Sequence, residues 1–439
     1  MKAGSGPSRP TVGIATTWYE RGAAYVSRQY RQLLEPTFNV LIYARGQPEE
    51  VQANPEWDGA YVTYGKKCLV PVATAIDRDD FVDWLASHRV RIVFFNEQHW
   101  WPPVVWCRDM GIATGAYVDY YTEETVPLFA AYDFLICNTL RHYRVFSWHP
   151  QCYYVPWGVD LDQYRPGSGS LVRPGVVSFF HSAGWSPYRK GTDLAIRAFA
   201  SISGSARLIV HTQVGLEECL PEVAELIRTL SKDGRLLVIE RTVSAPGLYH
   251  VGDVYVYPSR LEGIGLTIAE ALACGLQVIT TDNPPMNEFV TQENGRLVRV
   301  AEFRARSDGY YWPQAIVDFS SLAECLQYYV SRAGELPSMK EAARRSAEQR
   351  WNWRDRRRSL IEIFSNVRCL PRETKRGAIE AALAYEARRT GFRLWLATEH
   401  PLVYAGLRWL GGRLSFREPQ YSGRVGGGGA DADCPFVVP

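Results

Sequence analysis

Short apolar runs alternate with amphipathic stretches along most of this chain. In the first half, the apolar runs predict strands at residues 11–16, 40–43, 91–95, 114–118, 134–137 and 153–155. Between these runs apolar residues recur at helical spacing, as at residues 24–34 and 81–87. Strands that alternate with helices in this way are typical of a parallel α/β sheet.

A stretch rich in Gly, Ser and Pro at residues 165–174 interrupts the pattern and is interpreted as a linker between domains. A second series follows, with predicted strands at residues 176–180, 207–211, 236–239, 254–257, 277–280 and 295–298 and helices at residues 192–200, 220–230 and 266–274. Two such halves predict two doubly wound, Rossmann-like domains that face each other across a cleft. Ligands bind at the carboxyl ends of the strands in such sheets, so the cleft is the expected site.

The composition excludes several classes of protein. The 439 residues include 49 Lys and Arg against 47 Asp and Glu, which is too balanced for a dedicated nucleic-acid-binding protein. No run of about 18 apolar residues occurs, and the first ten residues lack the apolar core of a signal peptide. The nine cysteines are scattered singly, which argues against a disulfide framework and a zinc site. We therefore expect a cytoplasmic protein.

The most informative stretch is YVYPSRLEGIGLTIAEALACG at residues 255–275, where a predicted strand runs into a loop that opens a helix. Gly263 and Gly265 let backbone amides approach a ligand, and the helix N-terminus favours an anion. Glu262 lies in the loop and Glu270 on the helix, so the two carboxylates can accept hydrogen bonds from hydroxyls at two ends of one ligand. A surface loop with an ordinary helix glutamate is the alternative.

From residue 258 to residue 275 the chain resembles the E-x7-E signature of the retaining glycosyltransferases of family 4, P-S-x-x-E-G-x-G-L-x-x-x-E-A-x-A-C-G, at almost every fixed position. The resemblance implies the GT-B fold of two Rossmann-like domains. It implies that Glu262 binds hydroxyls of the donor sugar, that Glu270 binds the ribose of the nucleotide and that Thr242 flanks the base. The backbone beside the donor's sugar and phosphates is then that of Gly263, Ile264, Gly265 and Leu266.

Four further stretches resemble segments of this family, namely residues 155–166, 181–199, 282–298 and 350–355, so the resemblance covers roughly residues 11–367. It implies an N-terminal acceptor domain at residues 1–166, a donor domain at residues 167–349 and, at residues 350–367, a crossover helix that returns to the N-terminal domain. We expect a basic, aromatic helical extension at residues 368–412 and a disordered tail at residues 413–439.

Two cations precede the first helix of the second half. Arg189 and Lys190 stand just before Gly191 and a helix whose N-cap would be Thr192. They suit a diphosphate, because Arg can bind two oxygens and Lys acts as a point charge, and they would stabilise the charge on a departing nucleoside diphosphate. A solvated pair at a helix start is the alternative. Trp185 stands where the family carries an Arg.

The resemblance also assigns residues in the N-terminal half. Gly22, after the first strand, is implied to lie near the donor phosphates and the acceptor, with a plain turn as the alternative. Asp119 stands where members often carry a His, and it could accept a sugar hydroxyl or touch the positive charge that develops on the sugar. On the acceptor side we expect His99, Glu97 and Trp100, although core packing is the alternative for Trp100 and its neighbour.

These expectations combine into one enzyme: a retaining glycosyltransferase that moves a hexose from a nucleotide diphosphate sugar to an acceptor hydroxyl and forms an α-glycosidic bond. It would need no metal and no further cofactor, since the D-x-D spacing of Asp160 and Asp162 lies in the interdomain segment and is interpreted as structural. Two alternatives stay open. One is a sugar-nucleotide epimerase or phosphorylase of the same fold. The other is a non-catalytic nucleotide-sugar-binding subunit, which Trp185 and Asp119 motivate.

The C-terminal region is strongly basic, with 16 Lys and Arg against 7 Asp and Glu at residues 344–413. Residues 391–410 mix Trp, Leu and Tyr with Arg, and such a segment can lie on an anionic membrane surface. Peripheral membrane contact through residues 370–412 is therefore one interpretation. Packing of a helix pair on the core or on a partner subunit is the other, and no pattern indicates the oligomeric state.

Overall fold

The computed structural model describes residues 9–45, 57–68, 70, 72–167, 175–400, 403 and 407. These residues form two compact units. The first contains the described chain up to Cys137, residues His142–Val155 and the chain from Arg357 onward, and the second contains Asn138–Arg141 and Pro156–Arg356. The first unit is thus assembled from segments that are far apart in the sequence.

The division between the units falls earlier than the predicted boundary at residues 166 and 167, because the segment before the linker already belongs to the second unit. Within that unit Val159 forms a β-bridge with Asn352, and the ring centroids of Trp157 and Trp353 are 4.7 Å apart. The predicted tail at residues 413–439 lies outside the described residues, as do 401–402, 404–406 and 408–412 of the predicted extension.

A seven-stranded parallel sheet forms the centre of the first unit. Its strands are β1 (Thr11–Thr16), β2 (Asn39–Ala44), β3 (Val62–Tyr64), β4 (Val90–Phe95), β5 (Ala113–Tyr117), β6 (Phe134–Cys137) and β7 (Cys152–Tyr154), in the spatial order β3-β2-β1-β4-β5-β6-β7. All except β3 are predicted from the sequence; β3 is a half-buried edge strand of three residues. The strand order reverses between β1 and β4, where such sheets bind ligands.

Helices and aromatic rings complete the first half of the chain. Among the described residues of this half, the helices are α1 (Gly22–Leu34), α2 (Arg78–Ser87), α3 (Pro102–Asp109) and α4 (Leu140–Phe146), with a 3-10 helix at Val126–Ala131. Tyr30 of α1 packs on Phe94 of β4 with ring centroids 5.0 Å apart, and Phe94 stacks on Phe134 of β6. Much of the high aromatic content of the sequence therefore serves this core.

A six-stranded parallel sheet forms the centre of the second unit. Its strands are β8 (Val177–Gly184), β9 (Ala206–Thr212), β10 (Leu236–Glu240), β11 (Val254–Tyr257), β12 (Gln277–Thr281) and β13 (Gly295–Val298), in the order β10-β9-β8-β11-β12-β13. All six are predicted from the sequence. A separate antiparallel pair, β14 (Val300–Arg304) and β15 (Gln314–Val317), follows β13 and is not predicted.

The helices of the second unit are α5 (Thr192–Ser201), α6 (Leu216–Cys219), α7 (Ala224–Lys232), α8 (Leu266–Ala273), α9 (Phe319–Ser331) and α10 (Leu336–Arg350), with 3-10 turns at Pro221–Val223, Tyr249–Val251, Met286–Glu288, Ala333–Glu335 and Trp353–Arg356. The helix predicted at residues 220–230 is confirmed from Ala224 onward as α7, but its first part is a 3-10 turn at Pro221–Val223. Pro221 has no N–H to donate and ends the helical ladder, so two helices form on either side of a 3-10 turn.

Two C-terminal helices, α11 (Arg357–Asn366) and α12 (Arg372–Glu399), belong to the first unit. Phe364 of α11 packs on Phe94 and Phe134 at ring distances of 5.5 and 5.3 Å. Lys375 of α12 forms an ion pair with Asp133, with Nζ 2.6 Å from Oδ1 and both side chains buried. The inner face of α12 is therefore part of the first unit. Across the described residues, no helix has both the length and the apolar character that a bilayer crossing requires.

Candidate active site

The loop after β11 carries the residues with the strongest sequence signal. It runs from Pro258 to Gly265, and α8 begins at Leu266, as the pattern predicts. Gly265 is the N-cap of α8 and has φ +89°, in the left-handed region that favours glycine. The glycine at this position therefore allows the loop to turn sharply into the helix N-terminus.

Glu262 lies at the centre of a buried hydrogen-bond cluster. The side chain is only 8% exposed, and its Oε1 accepts hydrogen bonds from Ser259 Oγ at 2.6 Å, Lys190 Nζ at 2.7 Å and Tyr257 OH at 2.8 Å. Arg189 also donates to Oε1, at 3.3 Å. Glu262 is therefore not an ordinary surface glutamate, because its carboxylate is buried and paired with two cations.

The charges of this cluster do not cancel. Although burial favours the neutral acid, Lys190 and Arg189 lower the pKa of Glu262 to about 2. Burial, followed by the charge of Arg189, lowers the pKa of Lys190 to about 8. One carboxylate faces two cations, so the cluster keeps one excess positive charge at neutral pH. Such a charge beside the N-terminus of α8 suits an anionic ligand.

Arg189 and Lys190 stand on the turn that precedes α5. The N-cap of α5 is Gly191, with φ +72°, so the prediction of Thr192 as the N-cap is wrong. Thr192 is the first helical residue, and its Oγ1 lies 2.7 Å from Nε2 of the buried His181. A Cβ on Gly191 would lie 2.1 Å from the carbonyl oxygen of Pro258. The two loops therefore touch at a point where only glycine fits.

A buried ion pair that sequence reasoning missed joins the same two loops. The guanidinium of Arg260 donates to both carboxylate oxygens of Asp193 at 2.7 Å and lies over the ring of Tyr188. The Arg260 backbone N–H donates to the Arg189 carbonyl at 2.8 Å. Arg260 occupies a variable position of the E-x7-E pattern, so the sequence carried no signal for it.

Glu270 lies on α8 in a separate polar cluster. Its Oε2 accepts a hydrogen bond from the buried Tyr249 at 2.5 Å. Burial raises the pKa of Glu270, while hydrogen bonds from Tyr249 and Tyr164 act against the rise. Neither tyrosine follows from the motif, because both lie in other segments of the chain. Of the other predicted donor-binding positions, Ile264 is buried and Gly263 is partly exposed beside Glu262.

The predicted base-binding residue, Thr242, follows β10 at the carboxyl edge of the sheet. Its Oγ1 accepts a hydrogen bond from Gln213 at 3.3 Å, and Gln213 follows the neighbouring strand β9. Trp185, which follows β8, is 54% exposed. These three side chains lie at the ends of adjacent strands, and Gln213 was missed because a lone Gln after a strand carries no pattern.

In the first unit a charged cluster forms at the carboxyl ends of β1, β2, β4 and β5. Arg21, the N-cap of α1 just before Gly22, forms an ion pair with Glu97 at 3.5 Å. Burial, followed by the charge of Glu97, raises the pKa of Asp119 well above its usual range. The buried Arg45, which sequence reasoning missed, donates to Gln98 at 2.9 Å. Gly22, Glu97 and Asp119 are thus assembled around the strand-order reversal of this unit.

His99 and Trp100 follow Glu97 and are held by the backbone. Their N–H groups donate to Thr74 Oγ1 at 2.9 and 3.1 Å. Burial, followed by Arg45, lowers the pKa of His99 to about 3, so its imidazole is neutral at physiological pH. The Trp100 ring is buried against Trp106 at 5.4 Å, which is the core packing named as the alternative for this residue.

The D-x-D segment stabilises a turn. Asp160 accepts hydrogen bonds from the N–H groups of Asp162 and Gln163 at 3.0 and 3.3 Å, and Asp162 pairs with Arg354. Within the part of the chain that the structure describes, no group of three or more His, Cys, Asp or Glu side chains is arranged to hold a metal ion.

One family model matches within the second unit. Residues 176–307 match the family model of glycosyl transferases group 1. The chain is 34% identical over 167 residues to the lipopolysaccharide core biosynthesis mannosyltransferase LpsB of Rhizobium meliloti, a match covering 34% of this chain and 47% of that relative. It is 26% identical over 229 residues to the D-inositol 3-phosphate glycosyltransferase of Xylanimonas cellulosilytica, covering 48% of this chain and 51% of the relative. The chain thus spans about half the length of these relatives.

Solved structures share the fold. HepE of Anabaena, in complex with UDP and glucose, matches with a TM-score of 0.63 at 14% identity over 81% of this chain and 100% of its own. Sucrose-phosphate synthase of Thermosynechococcus elongatus matches with a TM-score of 0.61 at 17% identity over 81% of this chain and 98% of its own. With the two parallel sheets, these likenesses confirm the predicted GT-B class of fold, built from two Rossmann-like α/β units.

Proposed function

We propose that this protein is a retaining glycosyltransferase of family 4 that transfers a hexose from a nucleotide diphosphate sugar to an acceptor hydroxyl and forms an α-glycosidic bond. One observation carries the proposal: Glu262 is buried, held ionised by Lys190 and Arg189, and placed in the loop that opens α8. The named activities of the two relatives and the UDP and glucose bound by HepE support it.

In this proposal Glu262 positions the donor sugar. Across the described chain, the hydrogen bonds that Glu262 accepts end on Oε1, so Oε2 is the oxygen available to a sugar hydroxyl. The excess positive charge of Lys190 and Arg189, with the N-terminus of α8, would bind the diphosphate and stabilise the charge that grows on its β-phosphate as the bond to the sugar breaks. The backbone from Gly263 to Leu266 would lie along the phosphates.

The remaining predicted residues have proposed roles in binding the same nucleotide sugar or its acceptor. Glu270, held by Tyr249, would accept the ribose hydroxyls, and Thr242 would flank the base. In the first unit we propose Gly22 as a donor-binding residue and Glu97 and His99 as acceptor-side residues. The raised pKa of Asp119 favours a protonated carboxyl, which suits a hydrogen bond to a sugar hydroxyl better than a contact with positive charge. We propose that the reaction uses no metal and no further cofactor.

Substitution of Glu262 tests the proposal. A thermal-shift screen with UDP-glucose and GDP-mannose first selects the donor, and release of the nucleoside diphosphate is then followed. We expect Glu262→Gln to lower turnover by about 100-fold or more while the fold is kept. Glu293→Gln, at an exposed glutamate of the same unit, is the matched control and should leave turnover unchanged. Equal activity of both variants would show that Glu262 has no role in the reaction. A β-linked product, identified by NMR, would show that the enzyme does not retain the configuration of the donor sugar.

We also propose that residues 370–412 contact an anionic membrane surface. We assign the contact to Val403 and Leu407, which are four residues apart in the sequence and 53% and 52% exposed. The relative from Rhizobium meliloti is named for lipopolysaccharide core biosynthesis, which supports a membrane-associated acceptor.

Vesicle flotation tests this contact. The wild type should float with phosphatidylglycerol-containing vesicles, and Val403→Asp with Leu407→Asp should abolish flotation because a buried charge opposes insertion. Phe319→Asp, at a 47% exposed position of α9 in the second unit, is the control that should still float. A wild type that stays in the soluble fraction would exclude membrane contact.

A further inference from the structure

A strained turn precedes α2 in the first unit. The N–H of Ala75 donates to the Val72 carbonyl at 3.2 Å and closes a four-residue turn in which Thr74 is the third residue. Thr74 has φ +65°, in the left-handed region, where turns of this kind favour Gly or Asn. A β-branched side chain makes this conformation still less favourable, and it persists only where the surroundings stabilise it. The threonine therefore makes an interaction that a glycine in the same turn would lack.

That interaction is made with the acceptor-side loop, residues 96–100, which follows β4. Oγ1 of Thr74 accepts hydrogen bonds from two consecutive backbone N–H groups, those of His99 at 2.9 Å and Trp100 at 3.1 Å. The Thr74 carbonyl accepts a third hydrogen bond, from Gln98 Nε2 at 3.0 Å. One residue thus holds three successive residues of the acceptor-side loop, and two of the three bonds depend on its hydroxyl.

The acceptor-side loop is itself strained at Glu97, which has φ +52°. Side-chain amides fix the residues on either side of Glu97. Asn96 Nδ2 donates to a backbone carbonyl of α1 at 2.8 Å, and Gln98 Oε1 accepts from the buried Arg45 at 2.9 Å. Because a non-glycine residue keeps a left-handed backbone only where its surroundings impose it, these anchors impose the conformation of Glu97. Thr74 stabilises one of the two anchors, at Gln98.

We infer that Thr74 is a positioning residue, which holds Glu97 and His99 in the geometry that binds the acceptor hydroxyl. The inference rests on the proposed transferase function. Thr74 acts through the backbone of the acceptor-side loop and touches no substrate in this role. Without its hydroxyl the N–H groups of His99 and Trp100 lose their partner, and the loop can relax away from the strained backbone at Glu97. Acceptor binding then weakens, whereas donor binding by Glu262 in the second unit does not depend on this loop.

Titration of the His99 ring by NMR tests the positioning without relying on catalysis. Burial, followed by the cations Arg45, Arg389 and Arg21, lowers the pKa of His99 to about 3. Thr74→Val keeps the shape of the side chain and removes its hydroxyl. We expect the ring to become exposed in this variant, so that its pKa rises toward the usual value of about 6.5. The full-length protein, labelled with nitrogen-15 histidine, is titrated from about pH 7.5 to about pH 5, and the signal lost in His99→Gln assigns the resonance.

Two further variants control this titration. Thr74→Ser keeps the hydroxyl, and Thr37→Val removes one from a half-buried threonine after α1 in the same unit. Both should leave the pKa of His99 at its wild-type value. An unchanged titration in Thr74→Val, or an equal rise of the pKa in Thr37→Val, would overturn the inference.

Kinetics connect the positioning to the reaction. With the donor selected above and p-nitrophenyl glycosides of glucose and mannose as acceptors, Thr74→Val should raise the acceptor KM by about tenfold and leave the donor KM unchanged. Thr74→Ser should behave as the wild type. An equal rise of both KM values, or no rise in either, would make Thr74 a residue of the fold alone and overturn its positioning role. A wild type that neither hydrolyses nor transfers any donor would count against the proposed function, while the titration of His99 would still decide whether Thr74 holds the loop.

Discussion

Lys190 and Arg189 both donate to one oxygen of Glu262, so the two cations lie close together. Their proximity makes the charge of Lys190 depend on pH. Burial and the neighbouring Arg189 lower the pKa of Lys190 to about 8, well below the usual value for a lysine. As the pH rises through this value Lys190 loses its proton, and the excess positive charge of the cluster disappears. Below it, the ammonium is present and can bind a phosphate.

We therefore predict that UDP and GDP bind less tightly as the pH rises from about 7 to about 9.5, with a loss of about tenfold in affinity, which is the size expected for one charged hydrogen bond. Isothermal titration calorimetry across this range measures it. Lys190→Met should bind weakly and with little dependence on pH, and proton uptake on binding should be seen only in the wild type. A similar pH dependence in Lys190→Met would assign the effect to another group.

At the scale of elements, the contact between the loops that precede α5 and α8 depends on a single glycine. Gly191 combines φ +72° with a position where a Cβ would lie 2.1 Å from the Pro258 carbonyl oxygen. Gly234, after α7 in the same unit, has φ +68° but open space around the position of a Cβ. Alanine substitutions at these two glycines therefore separate the cost of backbone strain from the cost of a steric clash.

We predict that Gly234→Ala costs about 1–2 kcal/mol of unfolding free energy, from the left-handed backbone alone. Gly191→Ala should cost several kcal/mol, because the clash adds to the strain, and it should also weaken nucleotide binding as the Lys190 turn moves away from Glu262. Urea unfolding and calorimetry with UDP measure both effects. Equal costs for the two variants would show that the loops separate easily at Gly191.

At the scale of the whole molecule, the C-terminal helices α11 and α12 belong to the first unit, together with the N-terminal part of the chain. The ion pair of Lys375 and Asp133 ties α12 to the sheet of the first unit, and both side chains are buried. Arg388 of the same helix pairs with Glu124 at 2.7 Å, but with side chains 66% and 60% exposed. One helix thus carries a buried and an exposed ion pair.

We predict that Lys375→Met lowers the unfolding free energy of the first unit by about 3–5 kcal/mol, because it leaves Asp133 charged and buried without its cation. Arg388→Met should cost less than about 1 kcal/mol, as is usual for an exposed pair. Adding Asp133→Asn to Lys375→Met should recover part of the loss. Thermal unfolding and limited proteolysis between α11 and α12 measure this, and equal effects of Lys375→Met and Arg388→Met would show that the buried pair does not hold the helix.

Local patterns in the sequence determined much of this protein. The pattern of apolar residues predicted every strand of the two parallel sheets except β3, because each of those strands coincides with a short apolar run that is recognised without any distant partner. The E-G-x-G stretch likewise predicted that Glu262 lies in a loop and Glu270 on the helix that begins at Leu266, since both the turn and the helix start depend on neighbouring residues.

The tertiary structure alone decided which side chains meet. Lys190 and Glu262 are 72 residues apart in the chain and share a hydrogen bond only because the ends of β8 and β11 are adjacent in the sheet. Arg45 and Arg260 gave no sequence signal for the same reason: a single charged residue has no period, and its partner is set by strand order. The sequence thus determined the elements and the signature loop, whereas strand order and packing decided the charge, the burial and the partners of the site.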